Sequence, residues 1–267
     1  MLNQKNGNQE ISLEESDGIG VICFARPDKL NTFRHADYVR LLGLLDEVAA
    51  SKTLRALIIT ANGRAFSAGQ DLNQLEGDAK PKPDEELVYL KRFQDITRKV
   101  DGLNIPTITA FNGFAVGVGL EIAIACDFRI AVPDAYFMFA EARRGLFPTN
   151  GVLWLLPRLI GPAFAKEMLL FGKKFDADYA LRSGLISEIV SPEALMVHAR
   201  EMALALANNA GDTVEGIKAL LRQSFDLTLE EMMDKEIEYN IKVMNGNDFA
   251  EGINSFLEKR PPVFNRA

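Results

Sequence analysis

The sequence predicts an α/β fold with an all-helical C-terminal region, and two patterns carry that prediction. Up to about residue 192, short apolar runs of strand character alternate with stretches whose apolar groups recur at helical spacing. Beyond Pro192, residues 193–258 are almost entirely helix formers, interrupted near Gly211 and at Asn245-Gly246. The expected division is therefore a core over 1–192 and a helical unit over 193–267.

Taken in order, "ISLEES" and "GIGVICFA" read as two strands joined at Asp17-Gly18, a dipeptide that favours a tight hairpin. Residues 35–51 place Val39, Leu42, Leu45 and Val48 along one helical stripe. "RALIITA" is a buried-strand run that ends at Asn62-Gly63. "GDAKPKPDEE", 77–86, is proline-rich and charged, as a mobile surface loop would be. "IPTITAFNG" then predicts a strand, "GLEIAIAC" a buried helix and "FRIAV" another strand. No internal repeat is visible.

Composition narrows the classes of function. Of 267 residues, 48% are hydrophobic, enough for a sizeable core without disulfides. A net charge of −7 argues against nucleic acid as the main partner, though an anionic ligand would still require a local cation. The first ten residues lack the apolar stretch of a leader, and no run is long enough to span a membrane. A cytoplasmic protein with no membrane partner is expected. Cys23 and Cys126 sit in apolar surroundings, as small buried hydrophobes in a reducing compartment do, and no metal-ligand cluster is expected.

Three segments could carry chemistry. In "GRAFSAGQDL", 63–72, a strand ends in small residues that let a ligand approach the backbone; an ordinary glycine turn explains the segment equally well. In "GVGLEI", Ile122 occupies the third glycine position of the dinucleotide fingerprint, which makes a Rossmann site improbable. Gly117, Val118 and Gly119 instead form a compact helix entrance whose first N–H groups favour negative charge. Donors from these two segments could form an oxyanion hole, each supplying about 3 kcal/mol in a transition state. Glu121 is the only ionisable group between Ala115 and Cys126. A carboxylate there is costly unless a solvated helix end or a function accounts for it. In "AYFMFAEARRGLFPTNG", 135–151, Glu141 follows an aromatic run; it could pair with Arg143 or Arg144, or meet Glu121 across a cleft. Two carboxyls that cannot both ionise cheaply supply one acid and one base. His35 and His198 are expected at the surface, Trp154 and the phenylalanines in the core, and "FGKK", 171–174, in a solvated turn.

With these residues in place the chain resembles the crotonase, or enoyl-CoA hydratase/isomerase, superfamily. The likeness runs from "ARPDKLNTF" through "FSAGQDL", "NGFAVGVGLEIAIACD" and "AEARRGLFPTNG" to "FLEKRPPVF". It implies a spiral of repeated ββα units, a helical trimerisation region and a homotrimer or a hexamer built as a dimer of trimers. It also implies a coenzyme A thioester as substrate, so that coenzyme A belongs to the substrate and no separate cofactor is needed. The N–H groups that grip the thioester carbonyl fall on Gln70, after Gly69, and on Val118, after Gly117. Lys29, Leu30, Ala68, Asp71 and Leu72 match positions lining the coenzyme, while Phe256 and Lys259 match one reaching it from a neighbouring subunit. Glu121 corresponds to the residue that activates water, and Glu141 to the one that exchanges a proton with C2.

Three departures stand out: Val118 and Thr149 where glycine is usual, and Arg144 where an aliphatic residue is usual. The resemblance extends to members that hydrate 3-methylthioacryloyl-CoA in dimethylsulfoniopropionate breakdown, release methanethiol and hydrolyse the thioester. A double-bond isomerase, an acyl-CoA thioester hydrolase, and a non-catalytic scaffold or RNA-binding member of the same fold are the competing expectations.

Overall fold

The computed structural model describes residues 10–75 and 82–264. Two sheets organise it. β1 (Ile11–Ser16) and β2 (Ile19–Phe24) form the expected antiparallel hairpin, whose turn residues Asp17 and Gly18 both have positive φ. That is the twist-matched hairpin geometry the Asp-Gly pair favours. β3 (Ala56–Ala61), β5 (Thr107–Phe111), β7 (Phe128–Ala131) and β10 (Glu188–Ile189) extend β2 in parallel, giving the order β1-β2-β3-β5-β7-β10. β3 and β5 are buried along their whole length, which is why they read as near-continuous strand-like runs, whereas β7 carries the buried Arg129 and the two-residue β10 is an exposed edge.

The smaller sheet is built from strands too short to read from sequence. β4 (Ala65–Ser67), β6 (Phe114–Val116) and β8 (Tyr136–Met138) lie parallel, and β9 (Phe175–Asp176) closes the order β4-β6-β8-β9 antiparallel. The chain therefore runs three times from a strand of the large sheet to a strand of the small one and then into helix. The first turn of this spiral ends in α2 (Pro83–Gly102) and the second in α3 (Val118–Ala123). The third ends in the single turn α4 (Glu141–Arg144), followed by α5 (Val152–Phe171). α1 (His35–Ala50) and α6 (Ala177–Ser183) complete this part. The remaining chain is α7 (Leu195–Ala207), α8 (Gly211–Leu221), α9 (Leu229–Met244) and α10 (Asn247–Glu258), with α7 packed on β2, β3 and β5.

Several expectations change. The buried stripe of α1 is Tyr38, Leu41, Leu44, Leu45 and Val48, while Val39 is 53% exposed. Tyr38 sets this phase by stacking on Phe33, 5.4 Å between ring centroids, and it carries the helix face with it. The loop expected over 77–86 lies partly outside the described residues; from Pro83 onward it is the first turn of α2. There proline removes no needed donor, and Asp84, Glu85 and Glu86 complement the helix dipole. Trp154 is 42% exposed rather than core, with the Arg158 guanidinium 3.8 Å from its ring centroid. His35 is half-buried rather than a surface group, stacked on Tyr89 at 4.3 Å. No helix among the described residues is long and apolar enough to cross a membrane.

Candidate active site

The parallel strands β4, β6 and β8 all point their carboxyl ends at one cavity of about 510 Å³. Open α/β sheets commonly bind ligands in this position. From the end of β4 come Ala68, Gly69, Gln70 and Leu72; from β6 and the start of α3 come Gly117, Val118 and Glu121. Glu141, Arg144, Leu146, Phe147 and Thr149 follow β8, and α2 closes the wall with Tyr89, Leu90 and Phe93. Two segments that share no sequence proximity with Glu141 thus meet it because three short strands stand side by side.

Glycine is required at two points of this rim. Gly69 has φ +89, and a Cβ there would lie 2.8 Å from the Val116 carbonyl oxygen. Gly117 has φ +51 and ψ −129, and its Cβ would lie 2.9 Å from Glu141 Oε1. Any side chain at Gly117 would push against the carboxylate itself.

The main-chain donors face the cavity for identifiable reasons. The Phe33 N–H donates to the Gly69 carbonyl at 2.8 Å and the Asp71 N–H to the Phe33 carbonyl at 2.9 Å. In a parallel bridge of this pattern, the Gln70 N–H between them points to the other side. Val118 is the first residue of α3, whose N–H has no partner within the helix. Neither N–H finds an acceptor among the described residues. The Gly117 N–H, by contrast, is spent on the Met138 carbonyl at 2.9 Å and ties the end of β6 to β8.

Of the two carboxyls, that of Glu121 is deeply buried and that of Glu141 belongs to a half-buried residue. Glu121 is 3% exposed, and its Oε1 has no hydrogen-bond partner; the same is true of the buried Glu141 Oε2. Burial pushes Glu121 up to about 8, and the Glu141 charge pushes in the same direction. Burial also raises Glu141. The two act as one coupled unit that keeps a proton at neutral pH, held preferentially by the more deeply buried Glu121. The alternative partnership of Glu141 with Arg143 or Arg144 does not occur among the described residues.

The expected residues divide by place. Gln70, Val118, Glu121, Glu141, Ala68, Gly69, Leu72 and Gly117 line the cavity, as do the three departures Val118, Arg144 and Thr149. Leu30 lies beside the rim, its carbonyl accepting the Ala68 N–H at 2.9 Å. Lys29 is exposed outside the cavity, and Asp71 pairs with Arg26 at 3.4 Å. Phe256, 82% exposed, and Lys259 lie on the outer surface at the end of α10 and do not line the cavity of their own chain. Sequence reasoning missed Asn31, Tyr38 and Tyr89. Buried Asn31 donates to the Asn62 and Ala65 carbonyls at 2.9 and 2.8 Å, and Ser67 Oγ donates to the Asn31 carbonyl at 2.8 Å. These bonds stitch the 30–33 loop to the rim.

With this geometry established, similarity to known proteins decides the family. The model of the enoyl-CoA hydratase/isomerase family matches residues 14–267. The chain belongs to that family. It is 34% identical to 1,2-epoxyphenylacetyl-CoA isomerase of Escherichia coli over 92% of this chain and 95% of the relative. A probable enoyl-CoA hydratase of Rhodobacter capsulatus is 35% identical over 95% and 97% of the two chains. Carnitinyl-CoA dehydratase of Citrobacter koseri is 38% identical over 79% and 81%. The crystal structure of an enoyl-CoA hydratase from Bacillus anthracis superposes with a TM-score of 0.91 at 29% identity, covering 97% of this chain and 100% of that one. The spiral fold expected from sequence is thus the fold of the family.

Proposed function

We propose that the protein is a hydro-lyase that adds water across the 2,3 double bond of a short-chain enoyl-CoA. One observation carries this reading: the buried Glu121 and the half-buried Glu141, each with one carboxyl oxygen lacking a partner, share a cavity with two unengaged main-chain N–H groups. A thioester carbonyl between the Gln70 and Val118 N–H groups would be polarised, making C3 electrophilic. A water between Glu121 and Glu141 would give its oxygen to C3 and one proton to the carboxylate pair. The pair would return a proton to C2 as the enolate collapses. In the free protein the shared proton resides mainly on Glu121, so water activation by Glu121 requires that proton to pass to Glu141 as substrate and water bind. One carboxyl would suffice for an isomerase, whereas a hydratase uses both.

The acyl group is read from the wall. Leu90, Phe93, Val118 and Leu146 provide an apolar lining suited to a short chain. The Arg144 guanidinium disfavours a trimethylammonium group such as carnitine carries. 3-Methylthioacryloyl-CoA fits the same chemistry. Water added at C3 gives a hemithioacetal, which collapses to an aldehyde and methanethiol, and a second water could then cleave the thioester. Coenzyme phosphates would be met by exposed Lys29 and by Lys259 of a neighbouring subunit. A homotrimer, alone or paired into a hexamer, is supported by the exposed apolar stripe Leu229, Met233, Ile237 and Ile241 on α9. Two unpaired buried cysteines suit a cytoplasmic location.

The test is loss of the enoyl-thioester absorbance of crotonyl-CoA and of 3-methylthioacryloyl-CoA, with thiol detection in parallel. Absorbance loss with the first and thiol release with the second are expected. Loss with crotonyl-CoA alone would leave a general short-chain hydratase. No change with either would overturn the reading.

A further inference from the structure

Gln70 has a second set of contacts that main-chain polarisation of a thioester does not use. Its side-chain carbonyl accepts a hydrogen bond from the hydroxyl of Tyr38, a residue buried completely beneath α2. That bond turns the amide nitrogen away from Tyr38. Nε2 is buried and has no hydrogen-bond partner, and the same holds for the hydroxyl of Tyr89, a residue 7% exposed. Both groups stand against Tyr38, whose hydroxyl bonds the Gln70 amide and whose ring lies edge-on to that of Tyr89 at 6.5 Å; the Gln70 amide eases the effect of burial on the Tyr89 hydroxyl, yet the two make no hydrogen bond of ordinary geometry. Both residues line the cavity. The Tyr89 ring is fixed between His35, stacked at 4.3 Å, and Phe93, edge-on at 4.7 Å.

This polar pair lies on the acyl side of the cavity. Gln70 carries one of the main-chain N–H groups that would hold the thioester carbonyl, and it lines the cavity together with Tyr89 and Glu121, so amide, phenol and carboxyl stand at the reacting end of the pocket. The neighbouring wall, Leu90 and Phe93, is apolar. Buried donors set in an apolar wall are costly when empty of partners and discriminate strongly once a ligand supplies one.

We propose that Gln70 Nε2 and the Tyr89 hydroxyl form a specificity station that favours enoyl thioesters bearing a hydrogen-bonding heteroatom beyond C3 over all-carbon chains of equal length. The inference rests on the acyl-thioester reading above and names the substrate class within it. An oxygen substituent suits the station best, because a thioether sulfur is a weak acceptor.

The test compares 4-hydroxybut-2-enoyl-CoA with pent-2-enoyl-CoA, which differ by a terminal hydroxyl in place of a methyl. The ratio of their kcat/KM values is measured for the wild-type protein, Tyr89→Phe and Gln70→Met; methionine keeps the main-chain N–H. Taking the ratio within each protein cancels any general loss of turnover. Each substitution is expected to lower the ratio by about 3- to 10-fold, the worth of one hydrogen bond. An unchanged ratio in both variants would show that these groups serve only ordered water, and would overturn the proposal while leaving the hydratase reading intact. If the wild-type protein hydrates neither thioester, that reading fails instead. The same ratio, taken then from dissociation constants of 4-hydroxybutanoyl-CoA and pentanoyl-CoA, still decides the station.

Discussion

Glu121 and Arg129 are buried ionisable groups eight residues apart, 3% and 6% exposed, and the molecule treats them oppositely. Arg129, on β7, has a hydrogen-bond partner at each of its three guanidinium nitrogens. Its Nε donates to the Leu185 carbonyl at 2.7 Å, Nη1 to the Cys126 carbonyl and Nη2 to the Asp127 carbonyl at 3.4 Å. It closes the turn between α3 and β7 and ties β7 to the segment before β10. Glu121, on α3, has an oxygen with no partner and a neighbouring carboxyl that repels its charge. Equal burial therefore means two things: a group with hydrogen-bond partners holds the fold, whereas a carboxyl that lacks one stores cost where chemistry is done.

Substitution separates these roles. Glu121→Gln and Glu141→Gln are expected to lower turnover by roughly 10²–10⁴ while leaving the folded state intact or more stable. Steady-state rates and thermal melts on the same samples check both halves. Arg129→Met reverses the pattern. Three carbonyls lose a charged donor, so a loss of about 3 kcal/mol or more in stability is expected by urea titration. A neutral Arg129→Met, or an Glu121→Gln that unfolds the protein, would break the contrast.

Gly117→Ala sharpens it at the rim. The new methyl would meet Glu141 Oε1 at 2.9 Å from a backbone position with φ +51. Displacing the carboxylate is expected to cost about 10² in kcat, since misplacement of about 1 Å has that effect. An unaltered kcat would show that Glu141 is not held where the chemistry requires it.

The pH dependence of stability gives a smaller effect with a definite sign. Glu121 ionises at about 8 when folded, against 4.5 when free, so the folded chain binds the extra proton between these values. Its contribution to stability is fully present below about pH 4.5 and is lost progressively as pH rises toward 8. Wild-type stability, measured against Glu121→Gln, should therefore decline across that window. A difference that stays flat with pH would mean that Glu121 is ionised in the folded state.

Much of this was legible in sequence, for local reasons. Asp17-Gly18 fixes a hairpin through backbone preference alone, and β3 and β5 are dominated by apolar and β-branched residues because both their faces are covered. Glu121 was conspicuous for being alone among aliphatic residues, and the order of "FSAGQDL", "GVGLEI" and "FAEARRG" pointed to one family. What was not legible is long-range. Strands of three residues, such as β4, β6 and β8, carry too few side chains to show a period, and the helices that follow them differ greatly in length. The repeat consequently exists in space without a period in the chain. Tyr38 and Tyr89 reach Gln70 only because α1 and α2 pack together, so no local pattern marked them. The inward face of α1 is likewise not given by helical spacing alone, since Phe33, which sets the rotation by stacking on Tyr38, lies outside the helix.

The most direct measurement is product analysis after crotonyl-CoA is turned over in water enriched in both oxygen-18 and deuterium. The account predicts 3-hydroxybutanoyl-CoA with oxygen-18 at C3 and deuterium at C2, formed by the wild-type protein and far more slowly by Glu121→Gln and Glu141→Gln. Deuterium exchanged into the acyl chain without any oxygen-18 would contradict it, and would assign the paired carboxyls to proton transfer alone.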